Sequence, residues 1–270
     1  MTDRYAVIGN PVAHSLSPLI HAEFARQTGE DIEYARLLAP PGEFVRSVDA
    51  FREQGGRGLN VTLPFKEEAY RYATDHSTRA RDAQAVNTLR FDGTRAFGDN
   101  TDGTGLVRDI RENLGALLSG KSILLLGAGG AARGVLAPLL AERPASLTLA
   151  NRNLERALAL ARRFEEGRVL ACFYVALAGK RFDLVINATS ASLAGASPPM
   201  PPGIFAPGSL AYDMMYGKGE TPFLARAGAE GAARLCDGLG MLVEQAAESF
   251  LVWRGVRPQT QDVLALLRRA

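Results

Sequence analysis

The chain has 270 residues, 47% of them hydrophobic and 22% charged, with a formal net charge of +2; this predicts a soluble globular protein of roughly two domains and excludes a strongly basic nucleic-acid surface. Cys172 and Cys236 are the only cysteines, which excludes both a disulfide framework and a four-cysteine zinc site. No apolar run approaches about 18 residues, so no membrane partner is expected and the cytoplasm is the expected compartment.

In chain order, Arg4 to Gly9 is a first expected strand, followed by Asn-Pro and then His14-Ser15-Leu16-Ser17-Pro18. Ser15 and Ser17 are expected to point the same way, with Ser17 capping a helix that starts at Pro18. A helix start with two hydroxyls also suits a carboxylate. His14, His21 and His76 have no metal-ligand spacing and are expected to be ordinary polar or packed histidines. Strands are expected at Glu33 to Leu37 and Arg57 to Leu63, with a helix between Pro41 and Gly55. Alternation along the second strand places Asn60 and Thr62 on one face. Pro64 then opens a helix carrying Lys66, one of only four lysines with Lys121, Lys180 and Lys218. On pattern alone Lys66 is a solvated first-turn lysine, although a cation there opposes the helix dipole.

Ala85 to Phe91 leads through an Asp92-Gly93 turn to Gly98-Asp99-Asn100-Thr101-Asp102-Gly103. A calcium loop counted from Asp99 would need glycine at 104 and glutamate at 110, where the chain has Thr104 and Ile110. No metal is expected, which leaves Asp102 as a helix cap or a carboxylate held at a crevice. The short unbroken apolar run Ile123 to Leu126 predicts a strand buried on both faces of a parallel sheet. Gly127, Gly129 and Ala132 follow at the three small-residue positions of a dinucleotide fingerprint, and the run Ser146 to Ala150 closes a βαβ unit. That second strand ends in Asn151-Arg152, with Arg156 one turn later, where an NAD-binding fold usually has an acidic residue. Arginine there suits the 2′-phosphate of NADP. Strand ends at Asn60, Asn187 and Asp213 and the loop after Leu126 are expected to converge on one crevice. From Leu239 to Trp253 a last long helix carries an apolar stripe, with Met241 and Gln245 on a different face.

The segments YAVIGNPVAHSLSP, NVTLPFKEEA, AVNTL, GDNTDG, LLLGAGGAARG, NR at 151, NATS at 187, YDMMYGKGETPFL and GLGMLVEQAAESF together resemble the shikimate dehydrogenase family, in the family's order and over nearly the whole chain. The resemblance implies an α/β protein of two domains. Residues 1–101 would form a substrate domain, 102–237 a Rossmann-like parallel-sheet domain for NADP, and 238–270 C-terminal helices returning to the first. It implies NADPH-dependent reduction of 3-dehydroshikimate to shikimate, by a monomer or homodimer. Carried over motif by motif, Ser15 and Ser17 hold the substrate carboxylate, and Asn60, Thr62, Asn87, Asp102 and Gln245 meet its hydroxyls. Lys66 and Asp102 form the catalytic pair, and Tyr216 sits where substrate and nicotinamide meet. The cofactor set is Gly127, Ala128, Gly129, Gly130, Ala131, Asn151, Arg152, Arg156, Thr189, Met214, Gly238 and Met241.

Four positions depart from the family pattern: Gln84 and Ser192 replace common glycines, Thr78 a common acid, and Asn153 a common threonine. These border the cofactor or shape loops, and every position assigned to substrate or proton transfer is intact. Two other readings compete, a quinate/shikimate dehydrogenase using NAD or NADP, and a non-catalytic NADP-binding regulatory relative. The serine pair, with no threonine in either place, resembles the shikimate-selective pattern.

Overall fold

A computed structural model describes residues 2–217 and 219–269; Lys218 of the YDMMYGKGETPFL stretch lies outside them. The chain divides into two compact units, Met1–Gly105 with Leu242–Ala270, and Leu106–Met241. Among the described residues no helix is long and apolar enough to cross a membrane.

The first unit begins with β1 (Asp3–Gly9), α1 (Ser17–Thr28), β2 (Ile32–Leu38), α2 (Phe44–Glu53), β3 (Gly56–Val61) and α3 (Lys66–Tyr72). It continues through β4 (Asp75–His76), α4 (Thr78–Ala83), β5 (Thr88–Asp92) and β6 (Arg95–Asp99) into α5 (Asp102–Arg108). Its sheet has the order β2-β1-β3-β5-β6-β4. β1 runs parallel to β2 and β3, whereas β5 is antiparallel to β3 and to β6. The antiparallel pair follows from the Asp92-Gly93 turn, where Gly93 takes the left-handed backbone that a two-residue hairpin loop requires. Ala6, Ile8, Leu59 and Val61 pack with Phe44, Val48, Phe51 and Phe65 into one core.

In the second unit β7 (Ser122–Leu126), α6 (Gly130–Ala141), β8 (Ser146–Ala150), α7 (Leu154–Ala161) and β9 (Leu170–Cys172) precede β10 (Phe182–Asn187). β11 (Phe205–Asp213), α8 (Pro222–Ala229) and β12 (Arg234–Cys236) complete it. The six strands are all parallel in the order β12-β11-β10-β7-β8-β9. The unbroken apolar run of β7 is explained by what covers it. Ile123 and Leu125 enter one core and Leu124 and Leu126 another, so both faces are buried and each leucine contributes roughly 1.5–3 kcal/mol of burial. The order reverses at β7, the place where an open parallel sheet leaves a crevice at its carboxyl end. The last helices are α9 (Leu239–Arg254) and α10 (Gln261–Arg269).

Two local expectations change. α1 starts at Ser17 itself, and its N-cap is Leu16 with no side-chain cap, so Ser17 is not the cap. Instead the Ser17 amide donates to Ser15 Oγ at 3.2 Å, a side-chain turn that leaves the hydroxyls 3.1 Å apart. β3 ends at Val61, so Thr62 stands just beyond the strand, its amide still bonded to Ile8 O at 2.9 Å. Asn60 belongs to the first sheet, whereas Asn187, Asp213 and the turn after Leu126 belong to the second.

Gln84 closes α4 in the left-handed region, with φ of 47°, a conformation glycine adopts without steric penalty. Its side chain is exposed. Gln84→Gly should therefore stabilise the protein by about 0.5–1 kcal/mol, the removed strain outweighing the added freedom of the unfolded chain. Urea midpoints measure this, and a lowered midpoint would show that the glutamine side chain stabilises more than its backbone destabilises.

Candidate active site

In the first unit the side chains converge around the carboxyl end of β6. Lys66 Nζ donates to Asp102 Oδ2 at 2.5 Å, with the two side chains 16% and 6% exposed. Lys66 is thus held in an ion pair, and its position at the start of α3 is fixed from behind by the Val86 amide donating to Lys66 O at 2.9 Å. The other Asp102 oxygen accepts from Asn87 Nδ2 at 2.8 Å. Asn87 is in turn oriented by the Thr101 amide and the Thr88 hydroxyl, which donate to its Oδ1 at 2.8 and 2.9 Å. Gln245 of α9 presents Oε1 to Asn87 Nδ2 at 3.2 Å, and its own amide nitrogen donates to Leu242 O. The Thr62 hydroxyl has no bonded partner among the described residues. The structure therefore brings Lys66, Asn87, Asp102 and Gln245 into one bonded group.

Asn60 is placed differently, at 5% exposure. Its Oδ1 accepts from Tyr34 Oη at 2.8 Å and pairs with His21 Nε2 at 3.2 Å. Its Nδ2 donates to Ser249 Oγ at 2.9 Å and, more distantly, to Thr88 Oγ1 and Asn87 O. Both ends of the amide are therefore engaged by protein. The imidazole of His21 is fully buried and stacked on Tyr34, with centroids 4.2 Å apart and rings inclined by 9°. Burial pushes its pKa down to about 3, so the ring is neutral and Nε2–H is the donor to Asn60 Oδ1. Its Nδ1 is buried without a partner.

Tyr34, Thr88, Thr101 and Ser249 belong to no motif that announces a site, and His21, expected to be an ordinary polar or packed histidine, joins them behind Asn60. Helical spacing held a usable signal for two of them. His21 follows Ser17, and Ser249 follows Gln245, by one turn on the same face.

The second unit holds the fingerprint. Gly127 has φ of 104°, and a Cβ there would run into the Thr189 methyl and the Ala188 backbone, so only glycine fits. A Cβ on Gly129 would meet nothing within 4 Å, which leaves that backbone approachable. Gly130 and Ala131 open α6, a 12-residue helix with no side-chain cap and no acid in its first turn. Its first N–H groups and Ala128 thus border an uncapped, positive helix end that fits a pyrophosphate. Asn151 Nδ2 bonds Asn153 O at 2.8 Å, and Asn153 Oδ1 caps α7 by accepting from the Arg156 amide at 3.1 Å. The departure at 153 therefore keeps an N-cap of at least threonine's strength. The side chains of Arg152 and Arg156 are exposed and neither pairs with a carboxylate among the described residues, as a 2′-phosphate site requires.

Thr189 is tied to Asn187 Oδ1 through both its amide and its hydroxyl, at 3.1 and 2.7 Å. The Met214 amide donates to Asn187 O at 2.9 Å and the Gly238 amide to Met215 O at 3.0 Å. Met241, 7% exposed, is buried in the core that includes Tyr212 and Cys236. Tyr216 lies half-buried in the loop after β11, and burial raises its phenol pKa, which keeps it protonated.

Three family profiles match the chain: the shikimate dehydrogenase substrate binding domain over residues 7–89, shikimate / quinate 5-dehydrogenase over 109–195, and the shikimate 5′-dehydrogenase C-terminal domain over 238–268. The chain is 65% identical over 269 residues to a shikimate dehydrogenase (NADP(+)) of Dechloromonas aromatica, covering 99% of this chain and 98% of that protein. It is 62% identical over 271 residues to the protein of the same name from Aromatoleum aromaticum, covering 99% and 97%. Among solved structures it is similar to the Thermus thermophilus shikimate 5-dehydrogenase in complex with NADP(H) and shikimate. That similarity has a TM-score of 0.88 and 34% identity over 99% of both chains. With relatives this similar over their full length, the chain belongs to the shikimate dehydrogenase family.

Proposed function

We propose that this protein catalyses the reversible NADPH-dependent reduction of 3-dehydroshikimate to shikimate, with the substrate on the first unit and the cofactor on the second. The observation that carries the reading is the largely buried Lys66–Asp102–Asn87 assembly, in a chain whose other unit offers a glycine turn, an uncapped helix end and two arginines with no carboxylate partner among the described residues. When bound, NADPH supplies the hydride that adds to the ketone carbon. The residues of the chain supply position and a proton. Ser15 and Ser17 direct hydroxyls from the start of α1, which has no acid in its first turn, to the substrate carboxylate. Asn60, Thr62, Asn87 and Gln245 meet the ring hydroxyls, with Asn60 and Asn87 oriented by their protein partners. Asp102 accepts a substrate hydroxyl and orients Lys66. The Lys66 ammonium stabilises charge developing on the carbonyl oxygen and delivers the proton that makes it a hydroxyl; in the reverse direction the amine takes that proton back. Tyr216, in the loop after β11, contributes its protonated phenol to ligand binding. Arg152 and Arg156 take the 2′-phosphate, Gly127 to Ala131 the pyrophosphate, and Thr189, Met214, Gly238 and Met241 the rest of the cofactor. In this reading the protein works in the cytoplasm as a monomer or homodimer.

Absorbance assays pairing shikimate or quinate with NADP or NAD test the proposal. Shikimate with NADP should dominate, the serine pair contributing about 1 kcal/mol of the discrimination against quinate. Comparable kcat/KM for the two acids would favour a quinate/shikimate enzyme, and tight NADPH binding without turnover would favour a regulatory protein. Arg152→Ala should raise KM for NADP by about tenfold, the worth of a charge-assisted hydrogen bond, and change KM for NAD little. Equal losses for both cofactors would make Arg152 a structural residue.

A further inference from the structure

Asp213 ends β11 with none of its surface exposed, and among the described residues no cationic side chain pairs with it. A buried carboxylate without a countercharge persists only when its lone pairs are filled by donors. Four fill them here. Asn187 Nδ2 and the Met215 amide donate to Oδ1 at 3.0 and 3.1 Å, and Ser192 Oγ and Thr221 Oγ1 donate to Oδ2 at 2.8 and 2.6 Å.

These donors come from separate pieces of the second unit: the end of β10, the turn that follows it, and the loop and helix start after β11. Asn187 passes the constraint on, because its Oδ1 receives both Thr189 bonds and its carbonyl receives the Met214 amide. Thr189 in turn lies so close to Gly127 that no Cβ fits between them. One anion therefore sets the spacing of the glycine turn, the 187–192 segment and the segment carrying Met214. Beyond Thr189, the tether of that segment to Asp213 is the hydroxyl of Ser192, one of the four departures from the family pattern.

Building on the cofactor reading above, we infer that Ser192 and Asp213 form a positioning pair for NADP: the Ser192 hydroxyl, through the buried carboxylate, holds the 187–192 segment in the shape that receives the cofactor. A purely structural bond would act on stability alone, whereas a positioning bond acts on one ligand and not the other.

The test measures the Kd of NADPH from its fluorescence change on binding, and the Kd of shikimate by calorimetry, in wild type, Ser192→Ala and Ser192→Thr. Ser192→Ala should weaken NADPH binding about 5- to 10-fold, the effect of one lost hydrogen bond to a charged group. Shikimate binding should stay within about twofold. Ser192→Thr, which keeps the hydroxyl, should restore NADPH binding. The inference is overturned if Ser192→Ala binds NADPH like wild type, if Ser192→Thr is as weak as Ser192→Ala, or if shikimate affinity falls in parallel. A wild-type protein that binds shikimate but not NADPH would overturn the functional reading itself, and this inference with it.

Discussion

Replacing Lys66 by alanine is expected to lower kcat by about 10²- to 10⁴-fold while substrate KM changes far less. The ammonium is 2.5 Å from Asp102, a partner supplied by the protein itself, and its further contribution comes when negative charge grows on the carbonyl oxygen. Asp102→Asn should reduce kcat as well, with a larger rise in KM, because the same carboxylate orients Lys66 and accepts a substrate hydroxyl. The double variant should lose little more than the worse single one, since removing either partner disables the pair. Stopped-flow and steady-state measurements on the three variants decide this. A folded Lys66→Ala protein with near-normal kcat would end the mechanism.

His21 carries the second large effect. Its folded pKa of about 3 lies below the ordinary value of 6.5, so between these values the unfolded chain binds a proton that the native protein refuses. The stabilisation is complete above pH 6.5 and is lost as pH falls towards 3, at about 1.4 kcal/mol per pH unit. Between pH 6.5 and 5 the protein should lose roughly 2 kcal/mol on this account. Asp99 and Asp3, whose pKa values are lowered from 3.8, contribute their losses only at lower pH. Urea unfolding of wild type and His21→Phe at pH 7, 6 and 5 isolates the imidazole: the variant keeps a ring against Tyr34 but should lack this slope. Parallel slopes in the two proteins would show that the buried ring accepts a proton without unfolding.

Much of this architecture is visible in the sequence because it depends on local period and on glycine. The β7 run and its fingerprint declare themselves, since strands covered on both faces must be apolar throughout and only Gly127 tolerates the turn beside Thr189. Lys66 and Asp102 are legible as motif members, but their 36-residue separation hides the contact, which β5 and β6 create by setting Asn87 beside Asp99. The least legible part is the packing of polar groups behind the site. Ser249 bonds Asn60 across 189 residues, and no pattern in either segment announces the other. α9 misleads for the same reason: Glu244 and Glu248 occupy what an apolar-stripe reading makes its wet face, yet are 1% and 7% exposed and are bonded to Arg257, Thr260 and Arg79. Ser17 shows the limit of capping rules, because a preceding serine turned the chain one residue earlier than the rule allows.

The first unit is discontinuous in sequence, and this has a bearing on how it is made. Asn60 waits for Ser249, and the Leu89 carbonyl waits for Trp253 Nε1, which donates to it at 2.9 Å. Both partners lie in the final segment, after the whole of Leu106–Met241. At ordinary ribosomal speed that intervening stretch takes on the order of ten seconds to synthesise. During that interval Asn60 and Leu89, within the first 105 residues, lack the bonds that Ser249 and Trp253 supply. The Lys66–Asp102 pair can therefore settle into its finished surroundings only once α9 has been made, while the parallel-sheet unit has its entire sequence available before then.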